Sequence, residues 1–397
     1  MLIYEYKVDG TKRQDAAIDE AIRIVQFIRN KCLRLWMDER AISKNDLQGY
    51  CAVLAKEYPF ANTLNSQARQ AAADRAWFAV SRFYDHCKNR KPGKKGYPKF
   101  QHDNRSVEYK QTGWKPEPDG KHITFTDGCG IGRLRLVGNK NQHLEAFPPK
   151  QIKRVRIVHR ADGYYVQFGI QAERRIVHQP TGKQVGIDVG LKSFLTDSEG
   201  NTVENPRHYR KAEKRLNRLQ RHLSRKQKKS SNRKKARKQV AKASLKVSRQ
   251  REDFARKTAS TLISSHDLIA YEDLQIAHMV RNHHLAKSIH DAGWGTFLSW
   301  VKYYGKMHDI PVLAVAPQFT SQDCSACGTV VKKSLSVRTH ICTSCGVVLD
   351  RDHNAALNIL AKACTLGHRE PSGSPENASG QTASTRPPKR ATSKRAG

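Results

Sequence analysis

The apolar positions of this chain change period several times, and each change marks an element. Met1 to Asp9 reads as a strand, and Gln14 to Glu39 then sets Ile18, Ile22, Val25, Ile28, Cys32 and Leu35 on one helical stripe. A second helix is predicted from a Ser66 cap to about Lys88, with Ala72, Ala76, Val80, Phe83 and Cys87 on one face. From His122 to Gln171 the pattern becomes short alternating strands: Ile123 to Thr126, Gly132 to Val137, Arg154 to His159 and Tyr164 to Gln171. Ala161-Asp162-Gly163 turns the last two into a hairpin. With Met1 to Val8 these strands could close a small barrel. Two helices interrupting such a barrel would make the first 180 residues one composite binding module.

A helical period returns between Tyr209 and Lys257. Leu216, Leu219 and Leu223 form one stripe, and Val240, Val247 and Phe254 form another beyond Ser230-Ser231-Asn232. The prediction is a helical hairpin, and its stripes argue against a disordered, purely electrostatic arm. Past Ser372 no apolar period survives among Ser, Thr, Pro, Gly and Lys, so the end of the chain is expected to be a disordered tail.

Charge changes the picture. The chain carries 72 Lys and Arg against 36 Asp and Glu, a formal net charge of +36. Such a chain binds a polyanion tightly and in a salt-dependent way, because each neutralised phosphate releases condensed counterions. Two segments concentrate the charge. Between Lys88 and Phe100, Lys, Arg, Gly and Pro surround Tyr97 and Phe100; Lys94, Lys95, Tyr97 and Lys99 are candidate nucleic-acid contacts, though an ordinary basic turn would read the same way. The hairpin holds about twenty Lys and Arg between Tyr209 and Lys257, and Arg225, Lys226, Lys228, Lys229, Lys234 and Lys235 around its turn are further candidates. No apolar run is long enough to span a bilayer, and Met1 to Asp9 lacks a signal-peptide core. The expectation is a soluble, intracellular protein with no membrane partner.

Three segments place acids where apolar residues are expected. Val185-Gly186-Ile187-Asp188-Val189-Gly190 and Leu268-Ile269-Ala270-Tyr271-Glu272-Asp273 are apolar strands that carry or end in carboxylates. In Leu349-Asp350-Arg351-Asp352-His353-Asn354-Ala355-Ala356, Asp352 stands at the start of a helical period. A buried carboxylate costs several kcal/mol unless it is paired or binds a cation. Taken singly, each acid reads as a cap or a salt bridge. Taken together, in a chain that attracts phosphate, they make sense if divalent cations bridge carboxylates to phosphate oxygens for phosphodiester hydrolysis.

Of nine cysteines, Cys324, Cys327, Cys342 and Cys345 form two C-x-x-C pairs fourteen residues apart, each followed by glycine (Gly328, Gly346). Cys32, Cys51, Cys87, Cys129 and Cys364 are scattered. The spacing predicts one zinc ion held by four thiolates in a reducing compartment; four thiolates leave no open position, so the role is structural. His340 is a nearby reserve ligand.

These residues resemble the TnpB proteins of insertion sequences, relatives of the compact type V CRISPR effectors. The resemblance rests on Gly186-Ile187-Asp188-Val189-Gly190, Tyr271-Glu272-Asp273-Leu274, Gln318-x-Thr320-Ser321-x-x-Cys324-x-x-Cys327-Gly328 and Asp350-Arg351-Asp352-x-Asn354-Ala355-Ala356-x-Asn358-Ile359, in that order, over roughly 184 to 363. It implies a multidomain α+β protein. A β-barrel wedge domain (1–10 and 90–180) would be interrupted by a helical recognition lobe (11–89). An RNase H-like, RuvC-type nuclease domain (181–317 and 350–366) would follow, with an inserted zinc ribbon (318–349) and a tail (367–397).

The resemblance also implies a transposon-encoded, RNA-guided DNA endonuclease that cuts beside a short flanking motif. Asp188, Glu272 and Asp352 would hold two magnesium ions, with Asp352 preferred over Asp350 because it directly precedes the x-Asn-Ala-Ala run. Guide RNA and double-stranded target DNA would be the partners of a monomer or homodimer, acting on the nucleoid in a prokaryotic cytoplasm. Three rivals stand beside this reading. A protein-only RNase H-like transposase or resolvase would cut without a guide, a compact type V effector would differ only in genomic neighbourhood, and a binding protein would not cut at all.

Overall fold

The structure is a computed structural model that describes residues 1–39, 41–89, 93, 96–138, 147–172, 175–334 and 337–367. The expected tail lies outside these residues apart from Gly367, which ends the last helix. The chain divides into two compact units. One comprises Met1–Gln179, Pro206–Ser264 and Val280–Ile310; the other comprises Pro180–Asn205, Ser265–Met279 and the chain from Pro311 onward.

In the first unit, β1 (Leu2–Asp9) leads into α1 (Lys12–Asp38). Thr11 starts this helix with a capping box: its Oγ1 accepts from Gln14 N at 3.3 Å and Gln14 Oε1 accepts from Thr11 N at 2.9 Å. Ile18, Ile22, Val25, Ile28 and Cys32 are buried along the expected stripe, and Leu35 is half-buried. The structure adds α2 (Lys44–Glu57), with only Leu47, Cys51 and Leu54 buried, and the short α3 (Pro59–Asn62). Helix α4 (Ser66–Lys88) is capped by Asn65, not Ser66. The Asn65 side-chain oxygen reaches two orphan amides, Gln67 N at 2.9 Å and Ala68 N at 3.3 Å.

Seven strands form one antiparallel sheet. They are β1, β2 (Ser106–Tyr109), β3 (Trp114–Pro116), β4 (His122–Phe125), β5 (Gly132–Val137), β6 (Ile152–Arg160) and β7 (Gly163–Ile170), in the order β2-β6-β7-β1-β5-β4-β3. The expected hairpin is β6–β7, paired from Arg160↔Gly163 outward. Gly163 has φ 136°, which its turn demands and which other residues rarely adopt. Among the described residues no ladder joins β2 to β3, so the pairing leaves the sheet open where the strand pattern allowed a closed barrel. One core, including Tyr6, Phe168 and Val166 from the sheet and Ile18, Ile28 and Ala72 from the helices, binds sheet and helices together.

The basic hairpin also belongs to this unit, as α5 (His208–Ser224) and α6 (Ser231–Ser265). The Asp291 carboxylate caps α5 from outside, accepting from Tyr209 N at 2.7 Å and Arg210 N at 3.0 Å. At the turn, Arg233 Nη1 donates to the carbonyls of Leu223 (3.0 Å) and Lys226 (3.1 Å), which satisfies the end of α5. Farther along α6, Arg249 Nη1 donates to Asp162 Oδ2 and its Nη2 to the Tyr165 hydroxyl, both at 2.7 Å, holding the helix on the β6–β7 hairpin.

The second unit is built on a five-stranded mixed sheet. Its strands β8 (Gln184–Val189), β9 (Ser193–Asp197), β10 (Thr202–Glu204), β11 (Leu268–Glu272) and β12 (Val312–Val315) lie in the order β10-β9-β8-β11-β12. Strands β8, β9 and β10 run antiparallel, whereas β11 is parallel to both β8 and β12. Parallel neighbours need long crossovers. Here the chain from β10 to β11 runs through α5 and α6, and that from β11 to β12 through α7 (Ile276–Met279), α8 (His283–Ala292) and α9 (Trp294–His308). A small hairpin, β13 (Thr339–Ile341) with β14 (Val348–Asp350), leads directly into α10 (Arg351–Gly367). This last helix lies on the sheet, burying Ile359 and Ala363 against Ala270 and Val315.

Candidate active site and candidate metal centre

Parallel pairing sets Ile187 opposite Tyr271, so Asp188 and Glu272 follow side by side at the same ends of β8 and β11. Helix α10 brings the third acid. It can lie close to β8 because residue 186 is glycine: a Cβ there would stand 2.2 Å from the Ala356 carbonyl oxygen and 2.7 Å from Leu360 N. A Cβ on Gly190 would lie 3.9 Å from Asp352 Oδ2, which puts the Asp352 carboxylate beside the end of β8.

The electrostatics follow from this convergence. Burial raises the Asp188 carboxyl from its ordinary range to about 7, and the charges of Glu272 and Asp352 push the same way, against Arg351 and Arg338. Burial also raises Glu272, opposed by a hydrogen bond from Thr320 and by the charge of Lys362. Thr320, 3% exposed, donates its hydroxyl to Glu272 Oε1. Asp352 is 6% exposed and receives Arg351 Nη2 at 2.9 Å and Arg338 Nη1 at 3.3 Å. Asp350 differs from it: exposed, it caps α10 by accepting from Asp352 N at 2.8 Å. Carboxylate oxygens are the donors a hard divalent cation takes, but among the described residues only the four cysteines below stand within mutual ligand distance.

The sequence reading did not single out Thr320, Arg338 or Arg351 as partners of these acids. Thr320 and Arg351 stand inside quoted motifs, but only the fold shows which carboxylate each one meets. Asn354 and Asn358, also in a motif, are anchors. Asn354 Nδ2 donates to the Asp323 carbonyl at 2.8 Å, and Asn358 Nδ2 donates to the carbonyls of Thr320 (2.8 Å) and Asp323 (2.7 Å). They tie the start of the cysteine-bearing loop to α10.

The four cysteines meet. Cys324, Cys327, Cys342 and Cys345 have Sγ atoms all within 4.8 Å of one another; Cys324–Cys345 and Cys327–Cys342 are each 3.6 Å. A tetrahedron with Zn–S near ~2.3 Å has edges of about 3.8 Å, so the cluster fits a four-thiolate ion. The two pairs are built alike. Gly328 N donates to Cys324 O and Gly346 N to Cys342 O, each at 2.9 Å, while Cys324 N and Cys342 N donate to Thr329 O and Val347 O. Both glycines are left-handed, at φ 76° and 74°. The Thr329 hydroxyl and backbone lower the Cys327 thiol, while the neighbouring Cys345 thiol is raised, against a hydrogen bond from the Val347 backbone, by its contact with Cys327. His340 is fully buried with its Nδ1 2.6 Å from Lys333 Nζ, outside the cysteine cluster.

The candidate nucleic-acid residues fall on separate elements of the first unit. Tyr97 is 52% exposed, with its ring 5.8 Å from Trp36 and 5.3 Å from Phe83; Lys99 is exposed. Lys94 and Lys95 lie outside the described residues. Arg225, Lys228 and Lys229 are exposed and Lys226 is half-buried in the hairpin turn, while Lys234 and Lys235 are exposed in the first turns of α6. No helix among the described residues is long and apolar enough to cross a membrane.

Comparison with known proteins agrees with these features. A family model described as "Probable transposase" (OrfB_IS605) matches residues 167–283, and one described as "Cas12f1-like, TNB domain" matches residues 294–359. A "Putative RNA-guided DNA endonuclease" of Streptomyces pristinaespiralis is 38% identical over 183 residues, covering 46% of this chain and 45% of that protein. The "Putative RNA-guided DNA endonuclease InsQ" of Escherichia coli K12 is 30% identical over 226 residues, 53% of this chain and 56% of that one. "TnpB-like protein L79" of Acanthamoeba polyphaga mimivirus is 29% identical over 192 residues, 44% of this chain and 36% of that one. The chain thus spans about half the length of the first two and about a third of the third. A Cas12f1–sgRNA–target DNA complex contains a chain of similar fold, with a TM-score of 0.51 at 14% identity over 87% of this chain and 81% of that one. In sequence the chain is similar to RNA-guided DNA endonucleases of the TnpB and IS605 type, and in fold to the compact Cas12 effectors.

Proposed function

We propose that the chain is an RNA-guided DNA endonuclease of the transposon-encoded kind, hydrolysing target DNA at Asp188, Glu272 and Asp352. The observation that carries this reading is the convergence of three carboxylates of like charge from β8, β11 and α10 in a protein of net charge +36. The strand order β10-β9-β8-β11-β12, with three antiparallel strands followed by two parallel ones, supports an RNase H-like, RuvC-type domain.

Asp188, Glu272 and Asp352 would hold magnesium, which supplies charge stabilisation and an activated nucleophile for phosphodiester hydrolysis. The chain's own residues prepare that site. Thr320 orients Glu272 and Gly186 sets the approach of α10, while Arg338 and Arg351 hold the Asp352 carboxylate in place by hydrogen bonds. Zinc on the four cysteines would hold the loop that carries Thr320 and Arg338. Guide RNA and target DNA are the proposed partners, in line with the names of the sequence relatives and the composition of the Cas12f1 complex. Tyr97, Lys99 and the basic turn of the α5–α6 hairpin are proposed contacts.

The test is to purify the protein from cells carrying its native downstream DNA and sequence the RNA that co-purifies. Magnesium-dependent cutting is then measured on a target matching that RNA. Guide-dependent cutting that falls at least ~1,000-fold in Asp188→Ala, with RNA retained, is the expected result. Cutting without RNA would replace this reading with a protein-only transposase; one matched family is described as "Probable transposase". Full cutting by Asp188→Ala would remove the acid from the site.

A further inference from the structure

Between α5 and α6 runs a groove of about 680 Å³ whose walls carry only one sign of charge. Lys211, Arg215 and Arg218 stand on its α5 side, and Lys242 and Lys246 on its α6 side. Its floor is apolar, with Leu216 and Val247 each over nine-tenths buried. No carboxylate lines it. The acids nearby on these helices are engaged elsewhere: Glu213 with Lys287, Glu252 with Trp300 Nε1, and Asp253 with Lys257 and Arg256. Among the described residues none of the five groove cations has an acidic partner. At one end, His208 adds a buried Nε2 with no hydrogen-bond partner.

Five like charges facing one another over an apolar floor repel, and the low-dielectric floor strengthens the repulsion. A bound polyanion reverses that cost. Helical rise sets Lys211, Arg215 and Arg218, like Lys242 and Lys246, about 4.5–6 Å apart along each wall, comparable to neighbouring phosphates on a nucleic-acid strand. We propose that this groove is a phosphodiester-binding site that seats the backbone of one nucleic-acid strand between α5 and α6, with His208 donating to a phosphate oxygen at its end. The site is distinct from the residues around the hairpin turn. It deepens the reading of a nucleic-acid-guided enzyme by naming where a strand backbone is held. Its chemistry suits RNA and DNA alike, since nothing in the groove reads a base.

The test is a binding measurement on the full chain, independent of cleavage. Single-stranded RNA, single-stranded DNA of the same sequence, and their hybrid are titrated by fluorescence anisotropy from ~50 to ~400 mM KCl. Lys242→Ala/Lys246→Ala and Arg215→Ala/Arg218→Ala should each weaken binding about tenfold near ~150 mM salt and flatten the log–log salt slope by one to two. The control Arg256→Ala/Lys257→Ala removes the same charge from α6 outside the groove and should change affinity less than about twofold. Alanine favours helix, and circular dichroism confirms that each variant is folded. His208→Phe keeps an aromatic ring without the donor and should cost about threefold.

A loss seen only with RNA or only with DNA identifies the source of the strand, an equal loss with both means the groove takes either backbone, and each of these supports the site. Equal losses in groove and control variants would overturn it, leaving only diffuse net charge. Because binding alone is read, failure of the nuclease proposal would leave this result standing, and failure here would leave Asp188-dependent cutting untouched.

Discussion

The cysteine cluster and the carboxylate cluster lie in the same unit but are made in opposite ways. Each cysteine pair is assembled within six residues, by a left-handed glycine and two backbone hydrogen bonds that repeat in both copies. The carboxylates come from two strands and a helix, each separated from the next by about eighty residues of chain. Their convergence depends on one glycine, one threonine and two arginines. The cysteine centre is therefore local and would depend on a bound ion for closure, while the acid centre is global and depends on packing.

The strongest way to break this contrast is to remove the ion. Cys342→Ser/Cys345→Ser, or prolonged chelation, should release one zinc per chain by elemental analysis, expose the amides of Gly328 and Gly346 to hydrogen exchange, and abolish cutting. Retained amide protection without zinc would mean that the backbone alone closes the cluster.

Gly186→Ala attacks the packing of the acid centre. Its Cβ would meet the Ala356 carbonyl at 2.2 Å, so the main chain of β8 or α10 must shift. A loss of about 3 kcal/mol in chemical denaturation and a cutting rate down by about a hundredfold are expected. Wild-type stability in this variant would show that the strand and helix are not tightly apposed.

A smaller change separates orientation from packing. Thr320→Val keeps the volume and removes the hydroxyl on Glu272, so half-maximal cutting should need about tenfold more magnesium, with Thr320→Ser restoring most of the affinity. An unchanged magnesium requirement would make Thr320 a mere filler.

The smallest effect is that of pH. Because Asp188 is raised to about 7 in the fold from an ordinary value of 3.8, it favours the folded state while protonated. That contribution is complete below about 4 and is lost as pH rises through about 7. A cation competes with that proton. Added magnesium should therefore raise the melting temperature by a few degrees more at pH 8 than at pH 6, as differential scanning fluorimetry would read. The same increment at both values would separate Asp188 from the metal.

The same distinction explains what the sequence makes legible. The cysteine pairs are visible because spacing and glycines state their geometry within one segment. The β6–β7 hairpin and the two stripes of α5 and α6 are visible for the same reason, since their period and turn residues are local. The acids stand out individually as charges in apolar runs, but not through the partners that hold them: Arg338 reaches Asp352 across fourteen residues and Thr320 reaches Glu272 across forty-eight. Helix α2 offers only three buried positions in fourteen residues, too faint a stripe to separate from a loop. The displaced cap at Asn65 shows that two adjacent good capping residues leave the first turn undecided until the amides are placed. Short strands such as β2 and β3 acquire their pairing only from neighbours distant in sequence.

The direct passage from β14 into α10 bears on how such chains vary in length. Asp350 ends the strand and Arg351 begins the helix, with no residue between them to absorb a change. One inserted or deleted residue after Cys345 would either misalign the β13–β14 ladder or turn Asp352 about 100° around the helix axis, away from Asp188. Between the two cysteine pairs, among the described residues, the bridge Asp323↔Val330 and the bond from Val331 N to Gln322 O are the last backbone pairings with the first pair before β13. Natural length variation should therefore gather between Val331 and Arg338 and be almost forbidden between Cys345 and Asp352, a pattern that grafting a longer loop at each place would expose.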